Sequence, residues 1–359
     1  MVILFNDHYV KRKICGIGRY AGQINLLFLS LDASIVNNSP PIFFYRKGKL
    51  IKYIRFLAIN FFESIYPIVY LLFNKNCIHI SPSYAVPYSF YNKKTIVVVH
   101  DLAFLEYPES YGILEKFYFK INLFFTKYSE CQIVVPSLYV KNRLISLYKI
   151  KQNRVIVISP YAEIKPSKES TDFNYLRKKY FIPSFNNTND FTGHYCLLLS
   201  NAHPRKNIEN TVKAYMESKF FKKNIPLLVV GSFECSVEFD SSLIIPISNV
   251  SDEDLSILYE NSTCVLLFSY SEGFGFPVVE AAQFNIPCLT SNITSLAEFT
   301  NKNSFTDEIL TKKEILLELD EFVDSSEYRK KLLNGCSEIR GKYTKERFES
   351  QWRDLIESI

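Results

Sequence analysis

The stretch from Ser269 to Glu280 constrains the fold more than any other part of the chain. It reads Ser-Tyr-Ser-Glu-Gly-Phe-Gly-Phe-Pro-Val-Val-Glu. The apolar run before it, residues 264–268, has the length and composition of a buried parallel strand. Residues 277–282 after the glycines are typical of a helix with proline in its first turn. Glycines let the backbone approach a ligand and direct N–H groups at it. The stretch therefore predicts a strand, turn and helix that hold a polar, anionic ligand.

The length of the chain and its uneven charge indicate two domains with different partners. A chain of 359 residues is longer than one hydrophobic core usually supports, so two domains are expected. Residues 1–165 carry 21 Lys and Arg against 9 Asp and Glu, or +12, and the remaining 21 and 28 give −7. The basic half is expected to face a lipid headgroup surface, a phosphorylated substrate or a nucleic acid. The alternative is an uneven scatter of solvated lysines.

Cysteine usage and the N-terminus argue against several classes of protein. Eight cysteines are spread along the chain without a Cys-x-x-Cys pair, so neither a zinc site nor a disulfide framework is indicated. We expect buried, reduced thiols in a cytoplasmic protein. The apolar run that opens the chain, residues 1–5, is too short for a signal peptide and is interpreted as a first strand.

Apolar runs alternate with helical patterns along the whole chain, which predicts parallel sheets with helices on both faces. In the first half, strands are expected at residues 1–5, 42–45, 78–80, 95–99, 132–136 and 155–159. In the second half, they are expected at residues 195–200, 227–231, 243–247, 264–268 and 287–291. The polar stretch between the halves, residues 165–192, contains a loop-like run at 186–190 that is interpreted as a linker or insertion.

Residues 54–73 raise the question of a membrane span, because their apolar length approaches one. The run is interrupted by Arg55, Asn60, Glu63 and Pro67. These interruptions favour a helix packed on the sheet over a transmembrane helix. The approach to this helix is basic, with Lys47, Lys49, Lys52 and Arg55. We therefore expect the approach to meet anionic lipid at a membrane surface.

Two further motifs lie where doubly wound folds bind ligands. His100 and Asp101 end the predicted strand at residues 95–99, and the carboxyl end of a parallel strand opens into the ligand crevice. We interpret the pair as facing the substrate; a structural role for the histidine is the alternative. Gly16 and Gly18 follow the first strand, at the corner where a phosphate or sugar approaches the backbone. The alternative is a plain turn, since no third glycine follows at the dinucleotide spacing.

Together these features resemble the nucleotide-sugar-dependent glycosyltransferases of the GT-B architecture. Over most of the chain the likeness is to retaining family four, in the mannosyltransferase-like branch of bacterial polysaccharide (O-antigen and capsule) biosynthesis. Its most specific part is Glu272-Gly-Phe-Gly-Phe-Pro-Val-Val-Glu280, which is similar to that family's two-glutamate signature. Four weaker patterns occur in the family's order: Gly16-Ile-Gly-Arg-Tyr20, Ser81-Pro82, His100-Asp101-Leu102 and Pro204-Arg205-Lys206-Asn207.

The resemblance implies an α/β fold of two Rossmann-like domains whose parallel sheets face each other across a cleft. Residues 1–165 would form the N-terminal, acceptor-binding domain, and residues 166–339 the C-terminal, nucleotide-sugar-binding domain. A C-terminal helix, about 340–359, would cross back to the first domain, with Trp352 as a candidate anchor.

The resemblance also implies residue roles. The catalytic candidates are Glu272, which would face the donor sugar, His100, which would meet the sugar or the acceptor hydroxyl, and Asp101. Arg205 and Lys206 suit the charge that builds on a departing nucleoside diphosphate. A carboxylate accepts two hydrogen bonds from a diol, so Glu280 suits the ribose. The remaining donor-binding candidates are Gly16, Gly18, Gly273, Phe274 and Gly275.

The implied reaction moves a hexose, with mannose favoured, from a GDP- or UDP-linked sugar to a lipid-linked or growing glycan with retention of configuration. The nucleotide sugar is a co-substrate, so neither a resident cofactor nor a metal is implied. The expected location is the cytoplasm, with peripheral attachment to the inner face of the cytoplasmic membrane, and no nucleic-acid partner is expected.

Two departures from the family pattern leave an alternative function open. Ser200 and Asn201 stand where many relatives place an arginine, and residues 159–162 replace a usual Asn-Gly ending. The alternative is a catalytically silent sugar- or lipid-binding partner in a polysaccharide assembly complex. A nicotinamide-dependent enzyme is disfavoured because Gly16 and Gly18 lack the third glycine of that fingerprint.

Overall fold

The computed structural model describes residues 2–6, 10, 16–38, 58–91, 93–164, 173–180, 182, 194–201, 203–300 and 311–359. The chain divides into two compact units. The first unit contains Met1–Pro160 together with Lys345–Ile359, and the second contains Tyr161–Thr344. The sequence-based division lies close by, at residue 165 and at about residue 340.

A parallel sheet of six strands forms the centre of the first unit. Its strands are β1 (Val2–Phe5), β2 (Ser34–Asn37), β3 (Cys77–Ser81), β4 (Thr95–Val98), β5 (Gln132–Val135) and β6 (Val155–Val157). They lie in the order β2-β1-β3-β4-β5-β6, and every pair is parallel. Because β1 pairs with β2 on one side and with β3 on the other, the direction of the crossovers reverses between β1 and β3.

Helices cover this sheet, which explains why its strands read as continuous apolar runs. They are α1 (Gly16–Ser30), α2 (Tyr66–Phe73), α3 (Ala103–Glu106), α4 (Ile113–Tyr128) and α5 (Leu138–Tyr148). A π-helical turn, Phe61–Ile65, leads into α2. The buried residues of α1 recur at helical spacing and include Tyr20, Ile24, Leu27 and Phe28.

The second unit has a parallel sheet of five strands. They are β7 (Tyr195–Asn201), β8 (Leu227–Ser232), β9 (Ile244–Ile247), β10 (Ser262–Leu267) and β11 (Cys288–Thr290), in the order β11-β10-β7-β8-β9. The helices are α6 (Phe173–Lys179), α7 (Ile208–Glu217), α8 (Lys219–Lys222), α9 (Asp252–Glu260), α10 (Phe276–Gln283), α11 (Lys312–Asp324) and α12 (Ser326–Lys342). The chain moves outward from β7 to β9 and then returns to β10, so the crossovers reverse between β7 and β10.

Local sequence accounts for several helix starts in the second unit. Ser251 caps α9, because its hydroxyl accepts the Asp254 N–H at 3.1 Å, and three acids in the first turn complement the helix dipole. Thr311 and Glu314 form a capping box at the start of α11. Pro277 lies in the first turn of α10, as the sequence predicted.

The final helix, α13 (Lys345–Glu357), belongs to the first unit. Trp352 on this helix is fully buried. Its neighbour Phe348 packs edge-on against Tyr20 of α1, with ring centroids 5.5 Å apart. The hydroxyl of Tyr20 donates to the Ile158 carbonyl at 2.7 Å. Aromatic packing against α1 thus fixes the final helix within the first unit.

The structure confirms the predicted α/β fold with two parallel-sheet, Rossmann-like domains. It adds strand β2, which the sequence analysis missed, whereas the predicted strand at 42–45 lies outside the described residues. The basic approach at Lys47 to Arg55 and the run at 186–190 also lie outside them. Within the described ranges, no helix has both the length and the apolarity to span a bilayer.

Candidate functional site

The reversal between β7 and β10 positions the main candidate site. In open α/β sheets, loops at the carboxyl ends of strands diverge at such a reversal and leave a crevice where ligands bind. The loop after β7 carries Arg205 and Lys206, and the loop after β10 carries Glu272. Residues about 66 positions apart in sequence therefore meet at one point of the sheet edge.

Glu272 lies between the two cations. Its Oε1 accepts from Lys206 Nζ at 2.6 Å, and its Oε2 accepts from Arg205 Nη1 at 2.8 Å. The Ser269 hydroxyl also donates to Oε1, at 2.8 Å. The side chains of Arg205 and Lys206 are only 15% and 11% exposed, so the cluster is largely removed from water.

The cluster keeps Glu272 ionised. Burial opposes the charged form, but the charges of Arg205 and Lys206 and their hydrogen bonds outweigh it and lower the pKa of Glu272 to about 2. At neutral pH the three side chains therefore carry a net charge of +1. In this arrangement Glu272 holds the two cations, whereas the predicted role toward sugar hydroxyls needs its carboxylate to accept further hydrogen bonds.

The Arg205–Lys206 turn is fixed by its own backbone. Pro204–Lys206 is a 3₁₀ turn, and His203 Nδ1 accepts the Arg205 N–H at 3.3 Å. The Arg205 carbonyl accepts the Tyr270 N–H at 2.7 Å, which ties the β7 loop to the β10 loop. Asn207 then adopts a left-handed conformation, φ 54°, and α7 begins. Asparagine is among the residues that adopt this conformation at least cost.

Side chains from the loop after β11 pack against the glycine turn before α10. Gly275 has φ +121°, and a Cβ there would lie 2.8 Å from Leu296 Cδ2 and 3.1 Å from Phe299 Cε2, so only glycine fits. The ring of Phe274 is buried against Tyr343, with centroids 5.3 Å apart. The side chain of Phe274 therefore belongs to the core, and only its backbone is available for the predicted donor contact.

Two hydroxyl residues that the sequence analysis did not select hold this turn. Ser295 Oγ lies 2.9 Å from the Glu272 carbonyl and 2.7 Å from the Phe274 carbonyl. Thr294 Oγ1 accepts the Glu272 N–H at 3.3 Å. Single hydroxyl residues in a turn give no sequence pattern that would reveal these contacts.

Glu280 is buried within α10, at 2% exposure. Its Oε2 accepts the Tyr259 hydroxyl at 2.7 Å. The structure therefore places Glu280 in the helix that starts at the glycine turn, and the predicted contact with a ribose stays a prediction. Tyr259, which the sequence analysis did not select, orients the carboxylate.

In the first unit, His100 lies near the reversal between β1 and β3. Its Nε2 is 2.7 Å from the Pro82 carbonyl, in the loop that follows β3. A carbonyl only accepts, so Nε2 carries the proton. Burial lowers the pKa of His100, and the Pro82 carbonyl and Asp101 offset this only in part. The imidazole is therefore neutral at pH 7, with Nδ1 as its acceptor.

Asp101 has a local partner of its own. Its Oδ1 accepts the Tyr84 hydroxyl at 2.8 Å and the N–H of Ala103, the first residue of α3, at 3.0 Å. The ring of Tyr84 packs edge-on against His100, 6.1 Å away. Gly16 is the exposed first residue of α1, and Gly18 is buried one half-turn later. The structure thus brings His100 and Asp101 together around Tyr84.

Within the described residues, no group of three or more His, Cys, Asp or Glu side chains is placed to hold a metal ion. The sequence contains one Asp-x-Asp triplet, Asp252 to Asp254. It forms the first turn of α9, where Asp254 Oδ2 accepts from Lys179 Nζ and from the Tyr180 hydroxyl, each at 2.6 Å. The triplet therefore has a structural role in this unit.

Comparison with known proteins agrees with this geometry. Residues 184–335, inside the second unit, match the family described as Glycosyl transferases group 1. The chain is 24% identical over 334 residues to O-antigen chain mannosyltransferase B of Escherichia coli, covering 83% of this chain and 84% of that protein.

Two solved structures share the fold. WaaG, a glycosyltransferase involved in lipopolysaccharide biosynthesis, superimposes with a TM-score of 0.67 at 13% identity, over 99% of both chains. HepE of Anabaena, solved with UDP and glucose, also gives 0.67, at 12% identity over the whole of both chains. Together with the two parallel-sheet units, these findings support a glycosyltransferase role on a GT-B fold, with the match to the glycosyl transferases group 1 family confined to residues 184–335.

Proposed function

We propose that this chain transfers a hexose, with mannose favoured, from a nucleotide diphosphate sugar to a lipid-linked or growing glycan with retention of configuration. The observation that carries the proposal is the nearly buried cluster of Arg205, Lys206 and Glu272 at the strand reversal of the second sheet. Crevices at such reversals are the usual ligand sites of open α/β sheets.

The cluster suits the charge that develops during transfer. Departure of a nucleoside diphosphate builds negative charge on phosphate oxygens, and preorganised cations away from water stabilise that charge strongly. Arg205 offers a planar fork of donors and Lys206 a compact charge. Glu272, ionised with a pKa of about 2, prevents the two cations from repelling each other and leaves the cluster with a net charge of +1. A diphosphate binding here neutralises that remaining charge.

His100 suits recognition of a hydroxyl group. Its Nε2–H already donates to the Pro82 carbonyl, and a neutral ring leaves Nδ1 as an acceptor. A sugar hydroxyl of the donor or acceptor is the matching partner. The fixed proton position supports a role in orienting a neutral group, while Arg205 and Lys206 address charge.

Names of relatives support the finer assignments. O-antigen chain mannosyltransferase B favours mannose, and GDP-mannose is accordingly the first donor to test. HepE is solved with UDP and glucose, so UDP sugars are the second class. The proposed lipid-linked acceptor rests on the polysaccharide and lipopolysaccharide roles in the names of relatives. The net charge of +12 in residues 1–165 supports peripheral attachment to an anionic membrane.

The test begins with thermal shifts against UDP, GDP, CDP and dTDP sugars, because a ligand that binds the native state raises the unfolding midpoint. Transfer and donor hydrolysis are then measured with the best donor. Lys206→Ala is expected to lower kcat/KM by about 10²–10³-fold. Lys312→Ala is the matched control, since Lys312 pairs with Glu217 at 2.5 Å on the surface.

Two outcomes decide between catalysis and the silent alternative. Wild-type turnover in Lys206→Ala would remove the cluster from the mechanism and contradict the proposal. The departure at Ser200 and Asn201, where relatives carry an arginine, favours the silent sugar- or lipid-binding partner. A wild-type protein that binds a nucleotide sugar but neither transfers nor hydrolyses it would establish that alternative.

A further inference from the structure

The loop after β11 contains a backbone conformation that its sequence disfavours. Thr294 has φ +54°, in the left-handed region. The other non-glycine residues of the described chain with positive φ are Asp32, Lys149, Asn207, Asn224, Asn249 and Asn285. Thr294 is the only β-branched residue among them, and a β-branched side chain in this region is a true outlier. Such strain persists only where the surroundings enforce it, and it often marks functional sites.

The strained residue and its neighbour hold the backbone of Glu272 from both sides. Thr294 Oγ1 accepts the Glu272 N–H at 3.3 Å. Ser295 Oγ lies 2.9 Å from the Glu272 carbonyl and 2.7 Å from the Phe274 carbonyl, so its single proton is shared between them. Ser295 is 1% exposed. The loop residues Thr294 and Ser295, hereafter the brace, therefore fix Glu272 at its main chain.

The brace also affects the contacts that the Glu272 carboxylate makes with Arg205 and Lys206. The carboxylate of Glu272 spans Arg205 and Lys206 at 2.8 and 2.6 Å. A shift of the Glu272 backbone by a fraction of an ångström would lengthen one of these contacts. The same loop supplies Leu296 and Phe299, which pack so closely on Gly275 that the turn cannot move toward them.

We infer that Thr294 and Ser295 are positioning residues of the donor site. They hold the Glu272 backbone so that its carboxylate sets the separation of Arg205 and Lys206 for a diphosphate. The strain at Thr294 is retained because relaxing it moves the hydroxyl away from the Glu272 N–H. This inference rests on the proposed function, since it takes a nucleoside diphosphate sugar as the ligand of the cluster.

The test uses the full chain and compares Thr294→Gly, Thr294→Ser and Ser295→Ala. Glycine relieves the left-handed strain and removes the hydroxyl, whereas serine keeps the hydroxyl. For Thr294→Gly we expect an unfolding midpoint at or near that of the wild type, together with a fall of about tenfold in kcat/KM for the donor, as one lost hydrogen bond implies. Thr294→Ser is expected to restore activity to within about twofold of wild type.

Asn224→Gly is the matched backbone control, because Asn224 has φ 56° in the turn between α8 and β8. It is expected to leave kcat/KM unchanged. Ser295→Ala is expected to lower both the midpoint and kcat/KM, because it leaves two buried carbonyls without their partner. Isothermal titration with GDP and UDP separates binding from turnover.

The inference is overturned if Thr294→Gly keeps wild-type kcat/KM, or if Thr294→Ser is as impaired as Thr294→Gly. A midpoint that falls in step with activity in Thr294→Gly also overturns it, since that pattern reports structure alone. Failure of the proposed function looks different, because the wild-type protein itself would then bind no nucleotide and transfer no sugar.

Discussion

In the second unit, two cations surround a carboxylate at the strand reversal between β7 and β10. In the first unit, a neutral histidine lies among tyrosines near the reversal between β1 and β3. Both sheets are parallel and both reversals follow the same topological rule. The residues that leave the strand ends differ. Arg205, Lys206 and Glu272 form an ionic cluster, and His100 and Asp101 make uncharged or local hydrogen bonds around Tyr84.

The comparison shows that the fold provides the place and the loop residues provide the chemistry. A nearly buried cluster with net positive charge favours an anionic group such as a diphosphate. A neutral imidazole with its Nε2–H already used favours a hydroxyl. Changes that mix the two chemistries should therefore separate their contributions.

The largest expected effect comes from reversing a charge in the second unit. Lys206→Glu puts a second carboxylate beside Glu272, and two nearby carboxylates cannot both ionise without a cost. We expect donor turnover to fall by at least about 10³-fold and the unfolding midpoint to drop, because Arg205 alone must then balance two acids.

The matched control for Lys206→Glu is Lys312→Glu, which creates a like-charge pair with Glu217 on the surface, where the two side chains are 40% and 53% exposed. Solvent screens that pair, so little change is expected. Equal losses of turnover and stability in the two variants would mean that burial of the cluster does not matter, which would contradict the proposed difference between the two units.

The next effect is a difference in pH dependence between the units. Burial lowers the pKa of His79, on β3, to about 3, and its ring nitrogens have no hydrogen-bond partner within the described residues. Unfolded histidine titrates near pH 6.5, so below that pH the unfolded state binds more protons and the first unit loses stability. Stability that depends on Glu272 is full above pH 4.5 and is lost only as pH falls toward 2.

His79→Leu is therefore expected to flatten the pH dependence of stability between pH 7 and pH 5. The wild type should lose about 2 kcal/mol over that range through His79, and the variant should not. Urea unfolding at the two pH values, with a probe in the first unit, measures this. Glu272→Gln is the control and should keep the wild-type dependence. If His79→Leu still lost the full amount of stability between pH 7 and pH 5, other titratable groups would have to account for the pH dependence of the first unit.

Some features of the two units could be predicted from the sequence alone, and others could not. The buried strands were predictable, because five apolar residues followed by glycine or an ionisable pair give a strong local pattern. The short strand β2, with only two apolar residues in Ser34–Asn37, was not, since it pairs only because β1 lies beside it. The 42–45 strand remains untested.

Contacts within the site were harder to predict than its members. Glu272, Arg205 and Lys206 were selected from motifs, yet their mutual hydrogen bonds depend on which strands are neighbours in the sheet. Tyr84 and Tyr259 resemble ordinary core aromatics in sequence, and only their hydroxyl partners distinguish them. Thr294 was missed because its conformation is disfavoured by its own side chain, which local propensity cannot indicate.

The smallest effect concerns Tyr84 in the first unit. Its hydroxyl donates to Asp101 Oδ1 at 2.8 Å and accepts the Asp101 N–H at 2.9 Å. Tyr84→Phe removes both bonds, but Asp101 is only half-buried and keeps the Ala103 N–H, so the free energy of unfolding should fall by about 1 kcal/mol. Since the diphosphate is proposed to bind the second unit, the Kd for GDP or UDP should stay within about twofold of wild type.

Tyr88→Phe provides the matched control for Tyr84→Phe. It also removes a half-buried hydroxyl from the first unit, one that donates to Asn60 Oδ1 at 3.1 Å. Both variants should lose similar stability, but only Tyr84→Phe should raise KM for the acceptor, because Tyr84, unlike Tyr88, contacts Asp101 and His100. If Tyr84→Phe instead weakened nucleotide binding as much as Lys206→Ala does, the division between a charged and a neutral region would fail, and the first unit would have to take part in holding the diphosphate.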